Sequence, residues 1–284
     1  MQRAEQNERA GQFRALHQTA KILLLPNIWD VVSARLFEVE GFAAVGTTSA
    51  GIASTLGFPD GQRIGVEATV SVVERTARAL SIPISADIEA GYEDSPDGVA
   101  ETARVVLRAG AVGINLEDSL SGCGIDHYAK LFDVAKQCER IRAIRRMAES
   151  EGVDLFINAR TDVYLLGQDR PEQCLEESIL RGNAYLEAGA DGVFVPDMGT
   201  LDRNAIATLA REVEGPLNVI AGEATPSMSE LEDLGVARVS VGPRPMRAAL
   251  ALLRAIAREW KETGTTSPMC ADALSYEEVN GWFE

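Results

Sequence analysis

The sequence predicts a closed (β/α)8 barrel, on three observations. First, one phrase recurs four times: Gly41-Phe-Ala-Ala-Val-Gly-Thr-Thr48, Gly110-Ala-Val-Gly-Ile-Asn-Leu-Glu-Asp118, Gly189-Ala-Asp-Gly-Val-Phe-Val-Pro-Asp197 and Gly235-Val-Ala-Arg-Val-Ser-Val-Gly-Pro243. Each reads as a helix stopped by glycine, a short β-branched strand, and a polar or turn ending. Second, apolar runs at Ile22, Ile82, Leu155-Phe-Ile-Asn-Ala159 and Leu217-Asn-Val-Ile-Ala221 bring the strands to eight, with helical stretches between them. Third, no Gly-x-Gly-x-x-Gly follows the first strand, and polar residues recur at many strand ends instead of at one switch point, which disfavours a doubly wound open sheet.

Taken in order, residues 7–19 place Phe13, Leu16 and Ala20 at helical spacing and open the chain with an amphipathic helix. Ile22 to Leu25 is a buried strand ended by Pro26, and the helix 30–40 starts on Asp30, a capping residue, and stops before Gly41. The helix 66–80 aligns Val66, Val70, Val73, Ala77 and Leu80 on one face, and Ser95-Pro96-Asp97 opens a helix that ends at Ala109. Further helices are expected over 130–151, 171–188, 201–212 and 244–260. Gly264-Thr-Thr-Ser-Pro268 is a breaker, and the segment 275–283, with Tyr276, Val279, Trp282 and Phe283, is expected to dock on the body or on a neighbouring subunit. The whole of residues 1–284 is read as one barrel domain, with a helical extension from about 262.

Composition narrows the function classes. A formal charge of −16 argues against nucleic acid and anionic membranes as partners, because phosphate surfaces need clustered Lys and Arg. Cys123, Cys138, Cys174 and Cys270 show no Cys-x-x-Cys spacing, which fits a reduced compartment and neither a disulfide framework nor zinc. With His17 and His127 as the only histidines, a multi-histidine metal centre is excluded. Met1 to Arg14 is polar and charged, unlike a signal peptide, and no apolar run approaches membrane length, so the expected location is the cytoplasm.

Barrel enzymes place their chemistry at the C-terminal ends of the strands. Here those ends carry Thr47-Thr48-Ser49, Asp87 and Glu89, Glu117 and Asp118, Asn158 and Arg160, Asp197, and Glu223. Asp87 and Glu89 leave one strand at i and i+2, so both face one spot, and paired hard carboxylates with room for water suit Mg²⁺, or Mn²⁺ in its place. The plainer reading of that stretch is a solvated acidic turn. An arginine on a buried strand needs a partner: Arg160 forks onto a substrate carboxylate or forms a salt bridge to Glu117 or Asp162. The small-residue loop Gly46-Thr-Thr-Ser-Ala-Gly51 either turns N–H groups toward a developing oxyanion or merely connects two elements.

Five phrases together resemble the isocitrate lyase / phosphoenolpyruvate mutase superfamily over nearly the full chain: Pro26-Asn-Ile-Trp-Asp30, Ser54-Thr-Leu-Gly-Phe-Pro-Asp60, Ala86-Asp-Ile-Glu-Ala-Gly-Tyr92, Gly113-Ile-Asn-Leu-Glu-Asp118 and Asn158-Ala-Arg-Thr-Asp162. The resemblance implies a TIM-type barrel with an extra terminal helix exchanged between paired subunits, in a dimer or tetramer. It implies Mg²⁺ bound directly by Asp87, with Asp60, Glu89 and Glu117 holding its waters. It implies that Arg160 anchors a substrate carboxylate and that Thr48, Ser49 and Ala50 cradle the other end of a pyruvate-like unit.

Two departures shape the expected reaction. Lyases of this family carry a Lys-Lys/Arg-Cys-Gly-His loop whose cysteine is an acid; here the loop is Leu120-Ser-Gly-Cys-Gly-Ile-Asp-His-Tyr-Ala-Lys130, with Cys123 kept, the lysines gone and the histidine displaced to His127. Where the mutase branch has a histidine, this chain has Val195-Pro-Asp197. A reaction that needs no protein acid is therefore favoured: decarboxylation of a β-keto acid such as oxaloacetate, through a metal-stabilised enolate. Cleavage of a 2-methylisocitrate-like or alkylmalate substrate comes second, with Glu117, Asp197 or a metal-bound water as base and Cys123 as candidate acid. Phosphonopyruvate hydrolysis is third, and a non-catalytic carboxylate-binding barrel is last.

Overall fold

The computed structural model describes residues 3–120, 130–167, 170–197, 199–271 and 273–284. Among them, nine parallel strands are hydrogen-bonded in one sheet: β1 (Leu23–Leu25), β2 (Asn27–Ile28), β3 (Val45–Thr47), β4 (Ile84–Asp87), β5 (Gly113–Glu117), β6 (Phe156–Arg160), β7 (Gly192–Val195), β8 (Leu217–Ile220) and β9 (Arg238–Ser240). Neighbours run β1-β9-β8-β7-β6-β5-β4-β3-β2, so the first two strands lie at opposite ends of the order although only Pro26 separates them in the chain. They are one stave broken where proline has no N–H to give, and the break closes the ring. Asn27 spans the seam: its amide donates to Thr47 O at 2.9 Å, and its Oδ1 accepts from the N–H groups of Val241 and Gly242 at 2.9 and 2.8 Å. The barrel expected from the sequence is the fold observed, with its first strand split.

The repeated phrase has a conformational cause. Its leading glycines, Gly41, Gly110, Gly189 and Gly235, all have φ between 87° and 115°, a left-handed turn that ends each helix and aims the chain into the next strand. Helix starts follow the expected caps. Asp30 makes a capping box ahead of α2 (Val31–Val39), and Ser95 accepts from Gly98 N ahead of α5 (Pro96–Arg108). The helices α4 (Val66–Ala79), α6 (Val134–Glu151), α8 (Pro171–Glu187) and α9 (Arg203–Glu212) complete the main outer layer, together with the short α10 (Met228–Asp233). On α5 the buried Val99, Val106 and Leu107 face the sheet, each contributing roughly 1.5–3 kcal/mol by burial.

The first helix, α1, covers Arg3–Leu16, shifted toward the N-terminus from the expected 7–19. It plugs the bottom of the barrel: Phe13 packs edge-on to Phe156 at 5.5 Å, and His17 stacks on the same ring at 4.0 Å. At the other end of the chain, α11 (Arg244–Thr263) buries only Met246 and leaves Leu250, Leu252, Leu253 and Trp260 exposed. The chain then turns through α12 (Ser267–Ala271) to α13 (Tyr276–Gly281), and Trp282 returns to α2, where its carbonyl accepts from Arg35 Nε at 2.5 Å. Among the described residues no helix is long and apolar enough to cross a membrane.

Candidate active site

Strand register builds the site. Asp87 on β4 lies beside Asn115 on β5 and Asn115 beside Asn158 on β6; one layer higher, Glu117 lies beside Arg160. With a side-chain period of two, Asn115 and Glu117 point the same way, into the barrel. The asparagines form a closed layer: Asn158 Nδ2 donates to Asn115 Oδ1 at 2.8 Å and to Asn218 Oδ1 at 3.1 Å. Arg238 joins it from β9, donating to Asn115 Oδ1 at 3.2 Å. Burial pushes that guanidinium down to about 9, against the attraction of Asp87.

Above this layer a cavity of about 200 Å³ opens at the C-terminal ends of the strands, below the usual size of a drug-like pocket and suited to a small ligand. Thr48, Ser49, Ala50, Asp60, Asp87, Arg160 and Asp197, all singled out in the sequence, line it. Glu89 and Glu117 do not line it but face the same carboxylates. Glu89 donates its N–H to Asp87 Oδ1 at 3.3 Å, and its carboxylate accepts from Gln62 N at 2.7 Å and Tyr92 Oη at 3.3 Å. Cys123, the candidate acid, and the rest of the 120–130 loop lie outside the described residues, except for Leu120 and Lys130.

The acidic cluster is electrostatically loaded. Glu89 is pushed up to about 8 by burial and by repulsion from Asp87, Glu117 and Asp60. Asp60 is raised to about 6 by burial and by Asp87, and Glu117 to about 7 by burial, which the attraction of Arg160 only partly offsets. Glu89 has φ 50°, an uncommon value for a non-glycine residue, just after the end of β4. Such crowding is relieved by a cation, and every donor in the group is oxygen, the set that suits a hard divalent ion. Among the described residues Asp87 has acceptor capacity left: Oδ2 takes Ser49 Oγ at 2.8 Å and Ser49 N at 3.3 Å, and Oδ1 takes only the long contact from Glu89 N. Among the described residues no three acidic, histidine or cysteine side chains enclose a metal by themselves. The oxygens of Asp60, Asp87, Glu89 and Glu117 are of the kind a hard divalent ion takes together with water.

Arg160 realises the salt-bridge alternative while lining the cavity. Nη1 meets Glu117 Oε2 at 2.8 Å, and Nε and Nη2 meet Asp162 at 2.6 and 3.1 Å. Burial opposes its charge, but Asp162, Glu117 and Asp87 outweigh that and hold it protonated. The guanidinium is thus locked in orientation before any substrate arrives.

Four expectations need correction or narrowing. The stretch Gly46 to Gly51 is not a loop of open N–H groups: Thr48 caps a short helix, α3 (Ser49–Thr55), and Ser49 N is directed at Asp87. The tight turn depends on Gly51, where a Cβ would meet Thr48 Cγ2 at 2.7 Å and Trp29 Cβ at 2.8 Å. Asp118 is a strand-end acid with a structural task, accepting from Tyr185 Oη at 2.7 Å and Asp162 N at 3.0 Å in a fully buried setting. Asp197 is partly committed to its own loop, taking the N–H groups of Gly199 and Leu201 at 2.7 and 2.8 Å, and Glu223 lines a neighbouring cavity of about 630 Å³. Sequence reasoning missed Asn27, Asn115, Arg244 and Arg247, which also line the central cavity. The two asparagines sit inside strands, and the arginines follow the last strand in what reads as an ordinary helix start.

Comparison with known proteins agrees with this geometry. The chain is 38% identical over 238 residues to an uncharacterized protein of Mycobacterium tuberculosis, covering 84% of each. It is 29% identical to 2-methylisocitrate lyase of Bacillus subtilis, covering 97% of this chain and 89% of that one. A crystal structure of 2,3-dimethylmalate lyase superposes with a TM-score of 0.82 at 26% identity, over 96% of this chain and 94% of the other. These relatives support a carbon–carbon bond lyase or a related enzyme. Residues 13–261 match the family model described as phosphoenolpyruvate phosphomutase, and the chain belongs to that family, within the isocitrate lyase / phosphoenolpyruvate mutase superfamily.

Proposed function

We propose that the protein is a Mg²⁺-dependent carbon–carbon bond lyase of a small 2-oxo or 2-hydroxy carboxylic acid, with oxaloacetate decarboxylation as the leading reaction. The observation that carries this reading is a small cavity at the barrel mouth with Asp60 and Asp87 on one side and a pre-oriented Arg160 beside them. Asp87 would hold the ion directly, with Asp60, Glu89 and Glu117 reaching it through water. When bound, Mg²⁺ (or Mn²⁺) would supply Lewis acidity to the oxygens of the substrate. Arg160, fixed by Glu117 and Asp162, would fork onto the substrate carboxylate. Ser49 holds Asp87 in place from the first turn of α3, and Thr48 and Ala50 close the wall at the pyruvate-like end. Oxaloacetate leads because its decarboxylation asks for no acid from the protein.

The second reading, cleavage of a 2-methylisocitrate-like or alkylmalate substrate, is favoured by the likeness to 2-methylisocitrate lyase and by Asp197 in the cavity wall, where a base for the hydroxyl is needed. The test is pyruvate release from oxaloacetate, methylisocitrate, alkylmalates and phosphonopyruvate, with and without Mg²⁺. Turnover of oxaloacetate alone, unharmed by Cys123→Ser, supports the first reading; an inactive Cys123→Ser moves the assignment to the second. Arg160→Lys is expected to lower the metal-dependent activity by about a hundredfold or more, because an ammonium cannot reproduce the fork. An Arg160→Lys enzyme as active as the parent removes the proposed anchor.

We further propose a homo-oligomer in the cytoplasm, in which a second copy covers the apolar side of α11. The exposed Leu250, Leu252, Leu253 and Trp260 support it.

A further inference from the structure

Among the described residues, three that are not glycine have a backbone in the left-handed region: Gln62 at φ 55°, Glu89 at φ 50° and Tyr92 at φ 60°. Few side-chain-bearing residues adopt such values, because Cβ then crowds the backbone. The three come from two separate segments, yet they are bonded to one another. Gln62 N donates to Glu89 Oε2 at 2.7 Å, and Gln62 Oε1 accepts from Tyr92 N at 2.8 Å. Tyr92 Oη donates to Glu89 Oε1 at 3.3 Å and lies 3.2 Å from Thr69 Oγ1 on α4. Strained residues persist where their surroundings over-determine them, and here each of the three is held by the other two. Because φ sets how a side chain sits relative to its own N–H, the left-handed value lets Gln62 present both its N–H and its amide oxygen to the turn after β4.

The two sides of this closure differ in how firmly they are built. The turn after β4 is fixed from beneath: the fully buried Arg140 on α6 donates to Ala90 O and, at 3.0 Å, to Glu93 O, and Gly91 N donates to Ile88 O at 2.8 Å. Residues 59–64, between α3 and α4, are exposed or half-buried except for Ile64. Among the described residues, the only hydrogen bonds from this segment to another element are the two at Gln62. Asp60 rides on the segment and lines the cavity. We propose that Gln62 is a positioning residue of the metal site: it clamps the Asp60 segment to Glu89 and Tyr92, and so keeps the carboxylates of Asp60 and Glu89 within reach of one ion. This rests on the metal reading above. Two carboxylates held near each other repel, so without the clamp the exposed segment swings outward, and drawing it back costs the ion part of its affinity.

Mn²⁺ binding to the full chain, followed by the paramagnetic resonance signal of the free ion, tests this together with melting in EDTA. Gln62→Met keeps the side chain's length and the bond from its N–H but loses the acceptor for Tyr92 N. Gln62→Gly loses the same acceptor and relieves the left-handed strain. Both should bind Mn²⁺ about tenfold or more weakly than the parent. Gln62→Gly should nevertheless melt within about 5 °C of the parent, so that the loss of affinity is separated from any loss of stability. Affinity within about twofold of the parent in either variant overturns the inference and leaves the metal reading standing. So does a melting point of Gln62→Gly more than about 5 °C below the parent's, which would make the residue a support of the fold and not of the site. A parent that binds no Mn²⁺ defeats the metal reading, and the inference with it.

Discussion

Glu89→Gln tests the electrostatic heart of the site. Glu89 is buried and raised from 4.5 to about 8, first by desolvation and then by Asp87, Glu117 and Asp60. A folded pKa above the unfolded one means that the folded chain binds the extra proton. Its contribution to stability is full below about 4.5 and is lost as pH rises through about 8. A tenfold change in proton affinity corresponds to about 1.4 kcal/mol, and three neighbours share the repulsion. Roughly half of the whole effect, about 2 kcal/mol, is therefore assigned to this one side chain near pH 8. Gln removes the charge while its oxygen still accepts from Gln62 N and its amide can donate to Tyr92 Oη. In EDTA the variant should therefore melt about 4–8 °C above the parent at pH 8 and show little gain at pH 4.5. Added Mg²⁺ should raise the parent's Tm more at pH 8 than at pH 5.5, and the variant's less than the parent's at either. Melting curves by circular dichroism at three pH values, with EDTA or Mg²⁺, measure all of this. A variant less stable than the parent at pH 8 in EDTA, or a difference flat with pH, refutes the argument that these carboxylates are held together against their repulsion.

Other expectations follow from the same physics. His17, under the barrel, is pushed down to about 3 by burial and by Arg238, so stability present above about 6.5 is lost as pH falls toward 3. His17→Phe should gain on the parent steadily as pH drops from 6.5 to 4, by at most about 1.4 kcal/mol for each pH unit, in urea titrations; a pH-independent offset would contradict the buried neutral imidazole. Gly113→Ala would bring a Cβ to 2.6 Å from Phe13 Cε1 and 3.1 Å from Ser85 Oγ, and should cost about 1–3 kcal/mol, read as a lower urea midpoint with unchanged slope. Leu253→Glu with Trp260→Glu, at positions 59% and 62% exposed, should reduce the molar mass seen by light scattering; a parent that is already monomeric at micromolar concentration removes the proposed interface.

The sequence by itself determined the barrel. Leading glycines, helix caps such as Asp30 and Ser95, and short β-branched strands are local signals, and each is read within a few residues. It also pointed to the strand ends that carry Asp87, Glu117 and Arg160, which parallel register brings to one mouth, although Glu89 lies beyond the end of β4 at φ 50° and so is not placed by the strand period. Tertiary structure decided what those residues do there. Only packing shows that Arg160 is clamped by Glu117 and Asp162, that Asp118 is spent on Tyr185, and that Thr48 caps a helix where a loop was expected. Arg244 and Arg247 were illegible for the same reason: nothing local marks a helix-opening arginine as one that lines a cavity, and that placement arises when ring closure brings α11 to the rim. Local conformational preference acts over a few residues; the wall of a site is made of residues that closure brings together from strands far apart in the chain.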